Sequence, residues 1–406
     1  MGSNTLDKAK SPALAGLLAL SNVLDKAKSP ALAALLSSAV LLPAYQSAEA
    51  DAPPESTEIG FRYGKYQEDT VAGSDTLSGQ KSERYDIDVA QFSLIAPVCD
   101  SWSVGLTGQW ESMSGASPWF SLYGADGQQK VIMSGASIED RRAEYGVEAR
   151  YFHDEGNVGF NYVNSEEDDY HSDSVGADAS LNSADGLRTY TLALSASVDK
   201  ITPTQGVAPT NTLKADKDIH SIWVGVSQII NDRSIFNLGL GYTQRQGYLT
   251  DPYKYRDNRP DNREELVLSG GYRHFFDDQN GALQTDYRYF IDSWDVESHT
   301  LELALVQNLN NDIQVTPFVR GYNQSQANFY SDVAVDTGGY YSDDHRLSSY
   351  SAVSFGLRLK KNFGPWRVSA TAERYESAEG RWRYSQVPNK ALVDFWGYSL
   401  GFTYNF

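Results

Sequence analysis

The sequence of 406 residues has one cysteine, Cys99, and three methionines. A single thiol excludes an internal disulfide and any site built from several thiolates. Cys99 follows no lipobox, so it is expected to be a free thiol in a turn. Basic residues are scarce as well: 34 Lys and Arg stand against 53 Asp and Glu, a formal net charge of -19. Phosphate backbones demand a basic face, so this acidity excludes nucleic acid as a partner. After residue 50 no apolar run is long enough for a membrane-spanning helix. Leu and Ala thin out in the same region, while Tyr and Gly number 26 and 33 and the mean hydropathy is -0.46, a composition that favours strands.

The N-terminus is a separate matter. Lys8, Lys10, Lys26 and Lys28 precede the apolar run "ALAALLSSAVLLPAYQ", and "SAEA" then offers Ala48 and Ala50 in an A-x-A arrangement. This reads as a secretory signal peptide over 1–50, cut near Ala50, ahead of a single mature domain over 51–406. Cleavage removes those four Lys with Asp7, Asp25 and Glu49, which moves the net charge from -19 to -20. "LDKAKSPALA" occurs twice, at Leu6–Ala15 and Leu24–Ala33, and reads as a duplicated start region without a function of its own.

What fills the rest is alternation of period two. "ALQTDYRYFI" sets Leu283, Thr285, Tyr287, Tyr289 and Ile291 against Gln284, Asp286 and Arg288. "RRAEYGVEARY" and "SAVSFGLRLK" do the same, and the chain ends on "WGYSLGFTYNF", whose face Trp396, Tyr398, Leu400, Phe402, Tyr404, Phe406 is almost wholly aromatic. A soluble sandwich would put the greasy face inside. A transmembrane barrel puts it against lipid and turns the charges inward.

Three features select the barrel. Short turns such as "HDEG", "NDRS" and "NFGP" interleave with mostly longer segments, the asymmetry of outer-membrane barrels. Aromatics gather at strand ends, with Trp102, Phe275, Phe276, Phe363, Trp366, Tyr404 and Phe406 by the short turns and Trp110, Trp294 and Tyr289 toward the other ends. The signal peptide exports the chain. The expected fold is therefore an all-β, transmembrane antiparallel barrel of about sixteen strands in the outer membrane of a Gram-negative bacterium, with fourteen or eighteen as alternatives. Candidate strands begin near Ile59, Tyr85, Trp102, Arg142, Asn157, Ser172, Thr189, Ile219, Ile235, Glu264, Ala282, Thr300, Ile313, Ser349, Trp366 and Leu392. The weakest of them covers "DSVGADASL", and parity fails without it.

Residues of several strands and loops resemble a family of proteobacterial proteins of unknown function regarded as outer-membrane barrels. The matching pieces are "MSGAS" at Met113–Ser117 and again at Met133–Ser137, "SEEDDYHS" at Ser165–Ser172, "DPYK" at Asp251–Lys254 and "RPDNR" at Arg259–Arg263. The resemblance implies the fold and no settled activity. It also implies gene neighbours encoding a small lipoprotein, a thioredoxin-like protein and a flavin transferase, hence a redox-linked envelope setting. The last strand resembles the C-terminal signal read by the barrel-assembly machinery, carried here by Phe402, Tyr404 and Phe406.

Four groups of residues are candidates for chemistry. Arg62, Asp86, Asp88, Arg142, Glu144 and Glu148 are expected on the inner face, with Arg150, Asp286, Arg288, Glu302, Arg320 and Arg358. Glu265, Arg273 and Glu373 join them. Such a face lines a hydrophilic pore or forms a ladder of cross-strand ion pairs. Tyr253, Tyr255, Arg256, Arg259 and Arg263 suit recognition of sugars, phosphates or a partner, or belong to a proline-stiffened loop in the mouth. Glu166, Glu167, Asp168 and Asp169 offer carboxylates to a hard cation, without EF-hand spacing. His171, His299 and His345 each have acid or Ser neighbours, but adjacent strand residues point to opposite faces, and neither H-E-x-x-H nor G-x-S-x-G occurs. No cofactor is expected. The leading expectation is a passive channel for small hydrophilic solutes. The alternatives are a scaffold holding a periplasmic or lipoprotein partner, and a surface hydrolase. Outer-membrane lipid and lipopolysaccharide would surround the wall.

Overall fold

The computed structural model describes residues 52–134, 138–203, 213–336, 338–378 and 389–406. The expected signal peptide lies outside the described residues. Alternation becomes strand wherever it was found: β1 (Glu58–Glu68), β2 (Asp86–Cys99), β3 (Trp102–Gly115), β4 (Pro118–Tyr123), β5 (Gln129–Met133), β6 (Ile138–His153) and β7 (Gly156–Glu167). There follow β8 (Tyr170–Asn182), β9 (Arg188–Ile201), β10 (Ala215–Asn231), β11 (Ser234–Gly247), β12 (Asp257–Asn258), β13 (Asn262–Phe276) and β14 (Gly281–Asp292). The last are β15 (Glu297–Asn308), β16 (Ile313–Gln324), β17 (Tyr341–Ser342), β18 (Tyr350–Phe363), β19 (Trp366–Ala378) and β20 (Phe395–Asn405). The described residues contain no α-helix, only a single 3-10 turn at His345–Leu347.

Sixteen of these strands close into one antiparallel barrel, leaving β4 with β5 and β12 with β17 as two small ribbons in the connections. The strand over "DSVGADASL" is β8, and with it the count is even. β20 returns to β1 through the pairs Phe61 with Phe402 and Tyr63 with Leu400. Closure leaves no edge, so the wall satisfies its backbone hydrogen bonds internally, as a lipid environment requires. Seven connections at one end are short turns, while six of the eight at the other end are long: 69–85, 116–137, 202–214, 248–261, 325–349 and 379–394.

The apolar face points outward. Phe355 is 60% exposed and Val147 51%, whereas Arg142 and Arg150 on the opposite face are 4% and 3% exposed. Trp102, Phe276, Phe363, Trp366 and Phe406 are exposed near the short-turn end, and Trp110, Tyr145, Tyr242, Trp396 and Tyr398 toward the other. Trp294 differs from expectation. It is buried with Val296, Ala327, Tyr330 and Leu347 under the long loops, where its indole N–H donates to the Asn262 carbonyl at 3.0 Å.

Asp86 and Asp88 also differ: they lie on the outer wall, not in the lumen. Inside the long-loop end, Tyr66, Tyr85, Met113, Val393 and Phe395 form an apolar cluster that Ile87 and Val89 join. Because side chains alternate, burying Ile87 and Val89 turns their acidic neighbours outward. There Lys65 pairs with both carboxylates, and Tyr63 donates to Asp88. Cys99 is a free, exposed thiol, and it is the last residue of β2 where a turn position was expected.

Gly247 closes β11 with φ +115°, and a Cβ there would meet the Asp216 carbonyl oxygen at 2.3 Å. Backbone cannot yield as a flexible side chain can. Gly247→Ala is expected to destabilise the barrel by about 1–3 kcal/mol, whereas Gly321→Ala, with nothing within 4 Å, should be nearly neutral. Urea unfolding of the lipid-reconstituted protein, followed by tryptophan fluorescence, checks the contrast.

Candidate functional site

The lumen is built from every second residue of each strand, so its chemistry follows from register. Thirteen of the fifteen residues expected there face inward, Asp86 and Asp88 being the exceptions. They are organised into clusters across neighbouring strands. Arg142 reaches Glu111 at 3.4 Å and Ser165 at 2.9 Å, and also binds Glu144. Arg150 holds Asp178 at 2.7 Å, Glu148 at 3.0 Å and Asn157 at 2.6 Å. Asp286 receives Arg273 at 2.7 Å. Glu302 accepts from Arg320 at 2.7 Å and Arg358 at 2.9 Å, and Arg320 continues to Glu373 at 3.3 Å. Arg358 also lies over the Phe318 ring at 3.9 Å, and Arg288 over Phe290 at 5.6 Å. Arg62 stands inward opposite Gln91.

Pairing alone does not dry this wall. The side chains of Arg320 and Arg358 keep 26% and 29% of their surface accessible, and Lys360, which also points inward, is exposed. A charged group left in a dry interior would be strongly disfavoured unless fully paired. The inner face is therefore an ion-pair ladder whose cations keep part of their surface accessible.

The long loops interlock over one end. The β4–β5 ribbon meets the first loop, where the Val131 N–H donates to the Asp75 carbonyl at 2.8 Å and Lys130 to the Ser74 carbonyl at 2.6 Å. Its other side meets 325–349, where the Ser121 N–H donates to Asp343 at 2.6 Å and Gln129 to the Asp332 carbonyl at 2.7 Å. Segment 248–261 joins through Lys254, which donates to the Pro118 carbonyl at 3.0 Å. Residue Lys390 reaches in from the last loop, its N–H donating to Gln129 at 2.8 Å.

At the centre is a compact charge lock. Arg259 binds Asp257 at 2.8 Å and Asp344 at 2.7 Å, while Arg346 binds Asp251 at 2.8 Å and also Asp344. Burial by itself raises the Asp344 carboxyl, but Arg346, Lys254 and Arg259 more than offset this and hold it well below the usual carboxylate range. Asp251 is lowered in the same way, with burial opposed by Arg346 and Arg259. Nothing local in the sequence pairs positions 251 or 259 with 344 or 346. The only available signal was the run Asp343, Asp344, His345, Arg346, with both signs concentrated in a long loop.

The residues expected to recognise a ligand are mostly consumed in these contacts. Arg259 is in the lock, Arg263 is inside the barrel with Asp292 at 2.6 Å and Trp294 at 4.5 Å, and Arg256 donates to the Ala334 carbonyl at 3.1 Å. Tyr253 donates to Asp169, and Tyr255 packs on Trp119 and Phe120 with ring centres 5.5 and 5.1 Å away. They form no common recognition face. The loop-in-the-mouth alternative describes them.

Of the four carboxylates offered to a cation, the structure brings Glu167 and Asp169 together with Asp140 of β6, ligand atoms within 4.8 Å of one another. Glu166 instead lies 3.7 Å from His171. Ser172 does not couple to His171: it faces inward and donates to Asp199 at 2.6 Å, while His171 contacts Asp173 at 3.0 Å. His299 bonds the Tyr287 hydroxyl at 2.7 Å. His345 is buried without a hydrogen-bond partner on either ring nitrogen, and burial pushes its imidazole well below its usual range. A Ser–His contact that sequence adjacency does not reveal joins Ser234 to His274 at 2.8 Å, with the ring stacked beside Tyr272.

A protein family described as "protein of unknown function (DUF3570)" matches residues 32–387. No curated protein matches the sequence. Among solved structures the chain is similar to CdiB from Acinetobacter baumannii, at 9% identity and a TM-score of 0.50, over 86% of this chain and 60% of that one. The protein thus spans about three fifths of the CdiB chain. A structure described as a bacterial polysaccharide outer membrane secretin aligns at 9% identity and a TM-score of 0.46, covering 86% and 98% of the two chains. The siderophore receptor PirA from Pseudomonas aeruginosa aligns at 8% identity and 0.44, covering 87% and 81%. At 9% identity the likeness to CdiB shows a shared barrel fold and nothing about activity.

Asp343 gives the loop assembly a pH dependence. Burial pushes its carboxyl up to about 6, against the pull of Lys254 and the Ser121 N–H, while Asp344 and Asp257 add to the rise. A folded value above the unfolded one means that its contribution is complete below about pH 4 and is lost as pH rises through 6. The folded loop cap that buries Asp343 is therefore more stable at pH 5 than at pH 7, although the Ser121 N–H bond by itself favours the ionised carboxylate. Hydrogen-exchange protection factors for the amides around Ser121 should fall over that interval, and Asp343→Asn should flatten the change.

Proposed function

We propose a function for a chain that belongs to the DUF3570 family of proteins of unknown function: a passive, gradient-driven channel for small hydrophilic solutes in the outer membrane of a Gram-negative bacterium. One observation carries this reading. The inner wall presents charged side chains that keep accessible surface, including Arg320, Arg358 and Lys360, where a barrel serving only as an anchor could close its interior with apolar packing. Polar walls let a hydrated solute exchange water for fixed hydrogen bonds and charges, and their field sets which solutes enter. The loops over the long-loop end act as the size filter.

In this reading the precursor is cleaved near Ala50. The outer face, with Phe402, Tyr404 and Phe406 on the closing strand, meets lipid and lipopolysaccharide and is read by the barrel-assembly machinery. Phe402 and Phe406 are exposed, and Tyr404 packs at a tilt against Trp366 with ring centres 4.6 Å apart, which supports this role for the aromatic surface.

A second reading rests on the loops. Five of them are joined by hydrogen bonds and ion pairs around the lock of Arg259 and Arg346, which also suits a rigid platform for an envelope partner.

Purified protein in planar bilayers is expected to show discrete unitary conductance. A correctly folded barrel that stays silent across repeated reconstitutions would reject the channel. Co-purification of a single envelope protein in mild detergent at native expression would then select the platform.

A further inference from the structure

Along β10, β11 and β13 the inward positions at mid-height of the wall are small. One row runs from Thr191 through Gly225, Gly239 and Ser269 to Arg288, each the register partner of the next. The row on its short-turn side is Ser227, Asn237, Gly271 and Asp286. Between the ends of these two rows Asn237 is the one side chain longer than serine. Thr191, Gly225, Ser227, Ser269 and Arg288 keep accessible surface, so the recess opens to the lumen. Trp223 roofs it on the long-loop side. The indole ring lies against β11, 2.1 Å from where a Cβ of Gly239 would stand and 2.6 Å from one at Gly241, and only glycine admits it there.

Polar groups stand around this recess without partners. Asn237 is 4% exposed, and neither its amide oxygen nor its amide nitrogen forms a hydrogen bond. Trp223 is 2% exposed with its indole N–H unpaired, and the Nε of Arg288 is likewise buried and unpaired. Buried donors and acceptors are rarely left so, since each forfeits the bonds it had with water. Phe236 and Leu238 are exposed on the outer wall, so strand parity turns Asn237 inward, where its Nδ2 lies 3.4 Å from the place of a Cβ on Gly271. Cε2 of Trp223, the atom bonded to Nε1, lies at Gly239 while Cε3 lies at Gly241. The N–H edge is therefore on the side of Asn237. Net charge has no part in this: Arg273 holds Asp286, and Glu265, the carboxylate that acts on Arg288, is held by Arg245 and Arg263.

The unpaired groups define the ligand. An oxyanion only accepts hydrogen bonds, so it would leave the Asn237 oxygen unpaired and repel it. A cation would meet the N–H groups of Trp223, Asn237 and Arg288. What answers both is a group that gives and takes hydrogen bonds, as a pair of neighbouring hydroxyls does for an amide. We propose that this recess binds a small polyhydroxylated solute of the sugar class. Asn237 exchanges a donor–acceptor pair with adjacent hydroxyls, Trp223 and Arg288 donate to hydroxyl oxygens, and Ser227 and Ser269 complete the ring of contacts. Asn237 has no hydrogen bond to break in turning toward the solute. Glycine at 225, 239 and 271 leaves the room that a larger residue would fill. Passage of the solute through the barrel rests on the channel reading above, whereas binding in the recess does not.

The test has two arms on the full-length barrel, purified in a detergent without a sugar headgroup. In the first, tryptophan indoles are labelled with nitrogen-15, the Trp223 signal is assigned by its loss in Trp223→Phe, and glucose is titrated in. A saturable shift of that signal is expected, with affinity weakened by about tenfold in Asn237→Ala, as befits loss of the amide's hydrogen bonds. Thr371→Ala, on the inner face across the barrel, should bind as wild type does. An unmoved Trp223 signal, or equal affinity in Asn237→Ala, overturns the site. A shift with acetamide but not with glucose overturns the sugar class. Should Asn237→Ala fail to fold, the wild-type titration and Ser269→Ala, expected to bind more weakly, decide. In the second arm, glucose should lower the ion current through planar bilayers saturably, and less so in Asn237→Ala. Silent bilayers together with an intact, Asn237-dependent shift would remove the channel and leave the site. Conducting bilayers with no glucose-dependent shift would do the reverse.

Discussion

The absence of water in a hydrocarbon layer is the constraint on which the rest of this molecule depends. Each backbone N–H and C=O within the wall must find a partner in the protein, and for strands only closure achieves this. The return of β20 to β1 is that closure. Once the sheet is closed, the two faces of every strand have fixed destinies. Trp396, Tyr398, Leu400 and Phe402 go to lipid, and Gly397, Ser399 and Gly401 go to the lumen. The composition that looked wrong for a globular core, rich in Tyr and Gly and poor in Met, is what such a wall requires. Aromatic rings sit at its interfaces, and small residues stand where larger ones would crowd the interior.

The interior follows from the same closure by a different route. A lumen wide enough to hold Arg and Glu side chains brings carboxylates and guanidinium groups from neighbouring strands together, so Glu302 can serve both Arg320 and Arg358. These pairs steady the wall and keep the charges soluble inside it.

The loops form a second layer with its own logic. In solvent, surface ion pairs add little, because water screens them. At the long-loop end Asp257 and Asp344 are buried, and their guanidinium partners hold segments 248–261 and 325–349 together. Removing one partner would leave a buried charge unpaired, a larger loss than the pair's own contribution. The cap is therefore mechanically coupled: the β4–β5 ribbon, the lock and the last loop hang on one another through Asp343, Gln129 and Lys390.

Much of this could be read along the chain. Period-two alternation located all sixteen wall strands, including β8, whose apolar face is only Val175, Ala177, Ala179 and Leu181, and it placed most lumen charges correctly, because strand parity is a local property. It failed at Asp86 and Asp88, where Ile87 and Val89 are drawn inward by Tyr66, Met113 and Phe395 from other strands. Trp294 was misplaced for a similar reason: an indole at a strand end serves lipid or a loop core according to what folds over it.

The order of residues thus determined the barrel, a strand number of about sixteen and the oily exterior, since each needs only the pattern of one segment and the rule that lipid accepts no unpaired backbone, and closure in the fold fixed the number at sixteen. Tertiary structure alone decided which charges meet and which loops cover the mouth. Those outcomes depend on register between strands and on loops up to hundreds of residues apart, and no local period records such distances.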